Sequence, residues 1–393
     1  MVRRFAVFVV AILFFTASWT VLGQGGRTPQ EEQDAQTLLI VVDAALIADL
    51  GISEPAAATD PATPAPAPVV MPLSFGAADR SQGEISVSWD SGHFIKGQSG
   101  DTYVPFSLRV DDPRLSEGAA LYIRIVNADQ AAAFGQAMAS LMTAPAAAAD
   151  APGMARPAVG WESLHFIDSP RDGKLERAVE LKPGQYVAFV ALKGKTPAPS
   201  TSNRGRNDRD AAPEVAAAQA PPVVGVLRHE LTVPDFGVAE LITSSVILAQ
   251  SIEPLTQALP PNQQEANPYV FGPMRISPSP NGQFSKASEL NVIFWIYGAS
   301  PAASGKPDVS VGFRFHQQLA DGEKYFNRTA PQDLNAETLP PEFSLEAGHQ
   351  LPGSLVVPLA SFPAGNYRLE ITITDKASGK EIVQNATFTV LPV

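Results

Sequence analysis

The chain has 393 residues with 36 Pro, 29 Gly and no Cys; 45% are apolar, 17% are charged, and the net charge is −12. Proline at roughly twice average usage with so few charges excludes a long coiled coil and a highly charged disordered chain. The acidic balance argues against nucleic acid, which needs a basic face to displace counterions from phosphate. The nearest arginine cluster, Arg204, Arg206 and Arg209, is interleaved with Asp208 and Asp210.

Residues 1–23 read as a signal peptide. Arg3 and Arg4 supply a positive start, Phe5 to Phe15 an apolar core, and Val21-Leu22-Gly23 a cleavage region. The alternative is a single membrane anchor, for which the apolar core is short. Cleavage removes two Arg and no acid, so the charge of −12 becomes −14. The expected location is periplasmic or secreted, with no membrane span after signal removal. A Cys-free exported fold has to stand on its core without disulfides.

From Glu31 to Leu50 the acids at the start, and Leu38, Val41, Val42, Ala45, Leu46 and Asp49 at spacings of three and four, predict a short amphipathic helix. The substring LLIVVDAAL imitates the first strand of a von Willebrand factor A domain. Its metal motif needs Asp-x-Ser-x-Ser, and Ala45 and Ile47 stand at the serine positions, so a metal site is rejected. Residues 24–79 are assigned to this helix and a disordered stalk, with six prolines between Ser53 and Pro72. Residues 128–160 and 193–222 read as low-complexity insertions that cannot fold alone.

Elsewhere the period is two. Val104, Phe106, Leu108 and Val110 share a face, as do Leu121, Ile123 and Ile125, and Val309, Val311, Phe313 and Phe315. Short alternating strands with turn signals between them predict antiparallel β-sandwiches. The unit occurs twice. LKPGQY ending at Tyr186 precedes VAFVAL, and FPAGNY ending at Tyr367 precedes RLEITI, which sets Ala188, Val190 and Leu192 against Leu369, Ile371 and Ile373. Ile123-Arg124-Ile125 matches Phe313-Arg314-Phe315, and Val104, Phe106 and Leu108 match Val292, Phe294 and Ile296. The expected organisation is one sandwich at 80–236, a structured connector at 237–267 and a second sandwich at 268–393.

The Pro/Gly turn with Tyr two residues after Gly184 and Gly365 resembles the tyrosine corner of immunoglobulin-like and fibronectin type III-like sandwiches. That resemblance implies a structural role for Tyr186, Tyr367, Gly184 and Gly365. The absent disulfide fits the fibronectin-like variant. The C-terminal sequence and LTVPDF followed by LITSSVILA resemble uncharacterised exported bacterial proteins whose sandwich modules accompany von Willebrand factor A-related or GWxTD-type regions.

No G-x-S-x-G elbow, H-E-x-x-H helix, Walker loop or dinucleotide fingerprint is present, and the five His are scattered. No catalytic, metal or cofactor site is therefore assigned. Carboxylate pairs drawn from Asp90, Asp111, Asp112 or Glu289 leave a hydrolase as a remote alternative, with Asp111-Asp112-Pro113 reading first as a turn. The candidate interaction face is Ile293, Trp295 and Tyr297, which alternate with the core-facing Val292, Phe294 and Ile296. The competing reading is cover by Glu240–Ile252, itself alternating and apolar. The expected function is a non-catalytic envelope or extracellular scaffold with a protein partner; carbohydrate binding through Trp295 and Tyr297, or Trp89 and Trp161, is the alternative.

Overall fold

The alternating segments pair into several antiparallel sheets in a computed structural model, which describes residues 27–52, 71, 73, 75–97, 100–143, 160–168, 170, 173–195, 223–257, 259–264, 266–279 and 281–392. The predicted signal peptide, nearly all of the stalk at 53–72, and residues 144–159 and 196–222 of the insertions lie outside the described residues. The first half of the chain forms β1 (Arg80–Gly83), β2 (Val87–Gly92), β3 (Ile95–Lys96), β4 (Thr102–Val110), β5 (Ala119–Val126), β6 (Trp161–Ile167), β7 (Lys174–Leu181), β8 (Gly184–Gly194) and β9 (Val224–Val233). The second half forms β10 (Ile242–Thr243), β11 (Ile247–Pro254), β12 (Val270–Phe271), β13 (Met274–Pro278), β14 (Gln283–Ser285), β15 (Glu289–Tyr297) and β16 (Val309–Leu319). It ends with β17 (Gly322–Arg328), β18 (Gln332–Leu334), β19 (Leu351–Pro358), β20 (Gly365–Asp375) and β21 (Lys380–Leu391). Two longer helices, α1 (Pro29–Asp49) and α2 (Ala128–Thr143), accompany them. The fold class is all-β.

The chain divides into two compact units that are not consecutive in sequence. Unit 1 takes Met1–Trp89, Arg109–Leu175 and Gly184–Thr232; unit 2 takes Asp90–Leu108, Glu176–Pro183 and Val233–Val393. The domain limits expected at 80–236 and 268–393 differ from this division, which assigns segments 90–108 and 176–183 to unit 2.

Unit 1 centres on a sheet of order β1-β9-β8-β5-β6. Leu121, Ile123, Ile125, Ala188, Val190 and Leu192 are buried on one face, with the parity expected from the sequence. The opposite face is also dry, because α1 lies on it. Thr28 and Glu31 form a capping box, in which the Glu31 N–H donates to Thr28 Oγ at 3.2 Å and the Thr28 N–H donates to the Glu31 carboxylate at 2.8 Å. With Pro29 at the first helical position, the start of α1 is fixed locally. Leu38, Val42, Leu46 and Ile47 then pack against Tyr122, Val187, Phe189 and Ala191. Burying each such side chain stabilises by about 1.5–3 kcal/mol.

The acids of α1 decide its seat. Asp34 accepts from Lys193 on β8, Asp43 from Arg124 on β5, and Asp49 from Arg228 on β9 at 2.9 Å. The helix expected to lead into the stalk is thus an integral layer of unit 1. A second correction concerns residues 128–143, expected as low-complexity filler. They form α2, started by a reciprocal pair in which Gln130 N–H donates to Asn127 Oδ1 and Asn127 N–H donates to Gln130 Oε1, both at 2.9 Å. Its Ala131 and Phe134 join the same apolar cluster.

Unit 2 contains a sandwich. One sheet runs β14-β21-β20-β16-β17 with β18 on β16; the other runs β10-β15-β11-β13-β12 with β19 on β15. Between them lie Val292, Phe294, Ile296, Val311, Phe313, Phe315, Leu369 and Ile371. The order β9-β8-β5-β6 in unit 1 reappears as β21-β20-β16-β17, and β4 pairs β7 as β15 pairs β19. The sequence repeat is therefore also a repeat of strand order.

Candidate functional site

Ile293, Trp295 and Tyr297 are not a surface. They are 4%, 7% and 6% exposed and sit in a second core of unit 2 with Ile95, Phe236, Ile247, Tyr269 and Ile276. The expected interaction face is corrected accordingly. Cover by Glu240–Ile252 is corrected too: β10 and β11 extend the sheet beside β15, with Ile242 opposite Tyr297 and Ile247 opposite Ile293. The face is closed by other aromatics, Phe271 packing on Trp295 at 5.0 Å and Phe236 on Tyr297 at 5.1 Å. The Tyr297 hydroxyl accepts the Lys96 N–H at 3.1 Å, and burial raises its pKa. The other aromatic candidates are half-buried; Trp89 stacks on His229 at 4.1 Å, and Trp161 lies on β6.

The tyrosine-corner residues stand at the starts of β8 and β20. Gly184 and Gly365 adopt φ of 153° and 145°, a region that favours glycine. The Tyr367 hydroxyl donates to the Pro363 carbonyl at 2.8 Å, the upstream backbone bond that defines such a corner. Tyr186 is buried at the matching place. Asp112 caps the turn Pro113–Leu115, accepting from Arg114 N and Nε at 2.9 Å, so it serves the turn. Asp90 accepts from Ser107 at 3.3 Å.

The surface that distinguishes the two copies is the outer face of the large sheet. Register aligns them residue by residue: Arg124 lies opposite Phe189 and Glu162, whereas Arg314 lies opposite Glu370 and Arg328. Where unit 1 has Tyr122, Val187, Phe189 and Ala191 beneath α1, unit 2 has Gly312, Arg368, Glu370 and Thr372. The apolar stripe that seats a helix is replaced by a polar ladder. Sequence reasoning compared only the inward parity of these strands and so missed the face. The outward residues V-F-A-K after Tyr186 against R-E-T-T after Tyr367 carried the signal.

That ladder is ordered by charge. Arg368 donates to Glu323 at 2.6 and 2.8 Å and to Glu370 at 3.1 Å, and Arg314 donates to Glu370 at 3.1 Å. The Arg368 guanidinium holds the carboxyls of Glu323 and Glu370 below their ordinary range. His316 rests 3.5 Å from Glu323 and edge-on to Tyr325, which is 59% exposed. Beside this network runs a groove of about 540 Å³ over β16, walled by Thr329–Pro331 and floored at Gly312. Ser310, Thr372 and Thr374 add hydroxyls, and Arg314 and Arg328 add two guanidinium groups.

No family model matches the chain, and no curated protein matches it. Among solved structures, trypsin-activated alpha-2-macroglobulin from Escherichia coli is similar at 12% identity with a TM-score of 0.20. The match covers 79% of this chain and 17% of that one, so the chain spans under a fifth of that protein's length. Among the described residues no helix is long and apolar enough to cross a membrane.

Proposed function

We propose that this is an exported, non-catalytic binding protein of the cell envelope or extracellular space, whose contact surface is the polar outer face of β21-β20-β16-β17. Fibronectin type III-like sandwiches serve as its scaffold. The observation that carries the reading is the contrast between the copies: the same sheet face is filled by α1 in unit 1 and lined with charged and hydroxyl side chains in unit 2. A scaffold needing only stability gains nothing from leaving an ordered row of ion pairs and an exposed tyrosine in water, since such pairs contribute little there. Export rests on Arg3, Arg4 and the apolar run that follows.

The test is site-specific photo-crosslinking in intact cells. A photoreactive residue at Tyr325 should capture a discrete partner, whereas one at Glu253, on the other sheet of unit 2, should not. Equal background capture at both positions rejects the reading.

A further inference from the structure

We infer that the groove over β16 binds the carboxylate groups of an acidic polysaccharide, with Arg314 and Arg328 as the anion clamp. The inference rests on the outer face of unit 2 being its binding surface, as proposed above, and adds the chemistry of the ligand. Arg314 and Arg328 are directly opposed on neighbouring antiparallel strands. Like charges so placed repel, and the sheet gains nothing structural from them. In unit 1 the matching pair is Arg124 and Glu162, of opposite sign. Arg314 is shared with Glu370, while the Arg328 side chain is exposed and has no ion-pair or hydrogen-bond partner among the described residues. A guanidinium with a free fork next to a second one is suited to receive a carboxylate bidentately.

The rest of the groove selects a glycan over a peptide. Its floor strand is paired on both sides, β16 with β17 and β18 on one and β20 on the other, so no strand edge is open for a peptide backbone. Phe313, Ala330 and Pro331 give the groove apolar wall, and Glu381, which accepts from the Thr374 hydroxyl at 3.0 Å, puts one carboxylate at its edge, so the two guanidinium groups outnumber the acid. Beside them stand Ser310, Thr329 and Thr372, hydroxyls that both donate and accept and so match sugar hydroxyls. Gly312 keeps the floor open: a Cβ there would meet no atom within 4 Å.

The experiment measures binding of a galacturonate oligomer to the full chain by calorimetry, beside the methyl ester of the same oligomer and a polyglutamate peptide of equal charge. The free acid should bind, the ester should not, and rising salt should weaken the complex. Arg328→Ala should reduce affinity at least about tenfold, as expected for one lost charge-assisted contact. Gly312→Ala, whose Cβ would meet no atom within 4 Å, should also weaken binding while leaving the unfolding midpoint unchanged. Equal binding of the ester, equal or tighter binding of polyglutamate, unaltered affinity in either variant, or no binding of the oligomer each overturns the inference. Crosslinking from Tyr325 in the Arg328→Ala background separates the two proposals: capture that persists while the oligomer fails leaves the binding face standing with a different ligand.

Discussion

Arg314 occupies the position in the second sheet that Arg124 occupies in the first, yet the Arg124 side chain is fully buried and that of Arg314 is 53% exposed. The backbone register around them is the same. What differs is the company: Asp43, Glu162 and Tyr122 enclose Arg124, whereas Glu370 and Arg328 flank Arg314. One duplicated position thus became a docking point for a helix and the other part of an open surface.

Asp43→Ala leaves the Arg124 charge buried without its main counter-charge. Loss of one partner from a buried pair costs about 3–5 kcal/mol. Replacing the whole charged set, as Asp43→Leu and Arg124→Met with Glu162→Gln, should restore most of that stability, because uncharged groups of similar volume fill such sites well. Urea unfolding of Asp43→Ala and of the combined variant checks this; a combined variant no more stable than Asp43→Ala would contradict it.

Trp295→Ala should destabilise unit 2 by about 3–5 kcal/mol through the cavity it leaves beside Phe271. Binding to an insoluble polysaccharide should change only as far as folding does. A variant that keeps its thermal midpoint but loses retention would return Trp295 to the surface.

Tyr367→Phe removes the hydroxyl bond to Pro363 and should cost about 1 kcal/mol. Gly365→Ala, forced to a φ of 145°, should cost roughly 1–2 kcal/mol more. Denaturant midpoints of the single variants give both values.

Gly353 on β19 lies against the Phe294 ring, where an added Cβ would fall 2.3 Å from a ring carbon. Gly353→Ala must displace that ring from the centre of the sandwich. The expected cost is about 1–3 kcal/mol, the usual scale for overpacking. An unchanged thermal midpoint would show that the ring moves freely.

The acid limb of stability should depend on Asp375. Burial works against its charge, but the amides of Ser300 and Ala377 and the hydroxyl of Ser378 outweigh it and hold its pKa below the ordinary 3.8. A carboxyl whose pKa is depressed by folding contributes stability that is complete above its unfolded value and is lost as pH falls through the folded one. Asp375→Asn should therefore lower stability at neutral pH and flatten its decline below about pH 4. Parallel pH profiles for wild type and variant would refute this role.

Much of the fold was legible because strand alternation is local. The inward faces of β5, β8, β16 and β20 and the corner at Tyr367 follow from residues two apart and from one Pro/Gly turn, and register preserves their parity. The capping boxes at Thr28–Glu31 and Asn127–Gln130 are equally local, the second masked by the Ala-rich composition that follows it. Which outward face meets water is not local. Trp295 and Tyr297 alternate in sequence just as an exposed stripe would, and only the arrival of Phe94, Ile95, Tyr103, Phe236 and Phe271 from elsewhere along the chain made them interior. Likewise no spacing within Glu31–Leu50 states that Asp34, Asp43 and Asp49 will meet Lys193, Arg124 and Arg228. Strands, inward parity and duplication are thus written in local residue spacing, whereas the choice of which outer face is covered comes from long-range packing, because burial depends on what else in the chain has apolar area and counter-charge to place there.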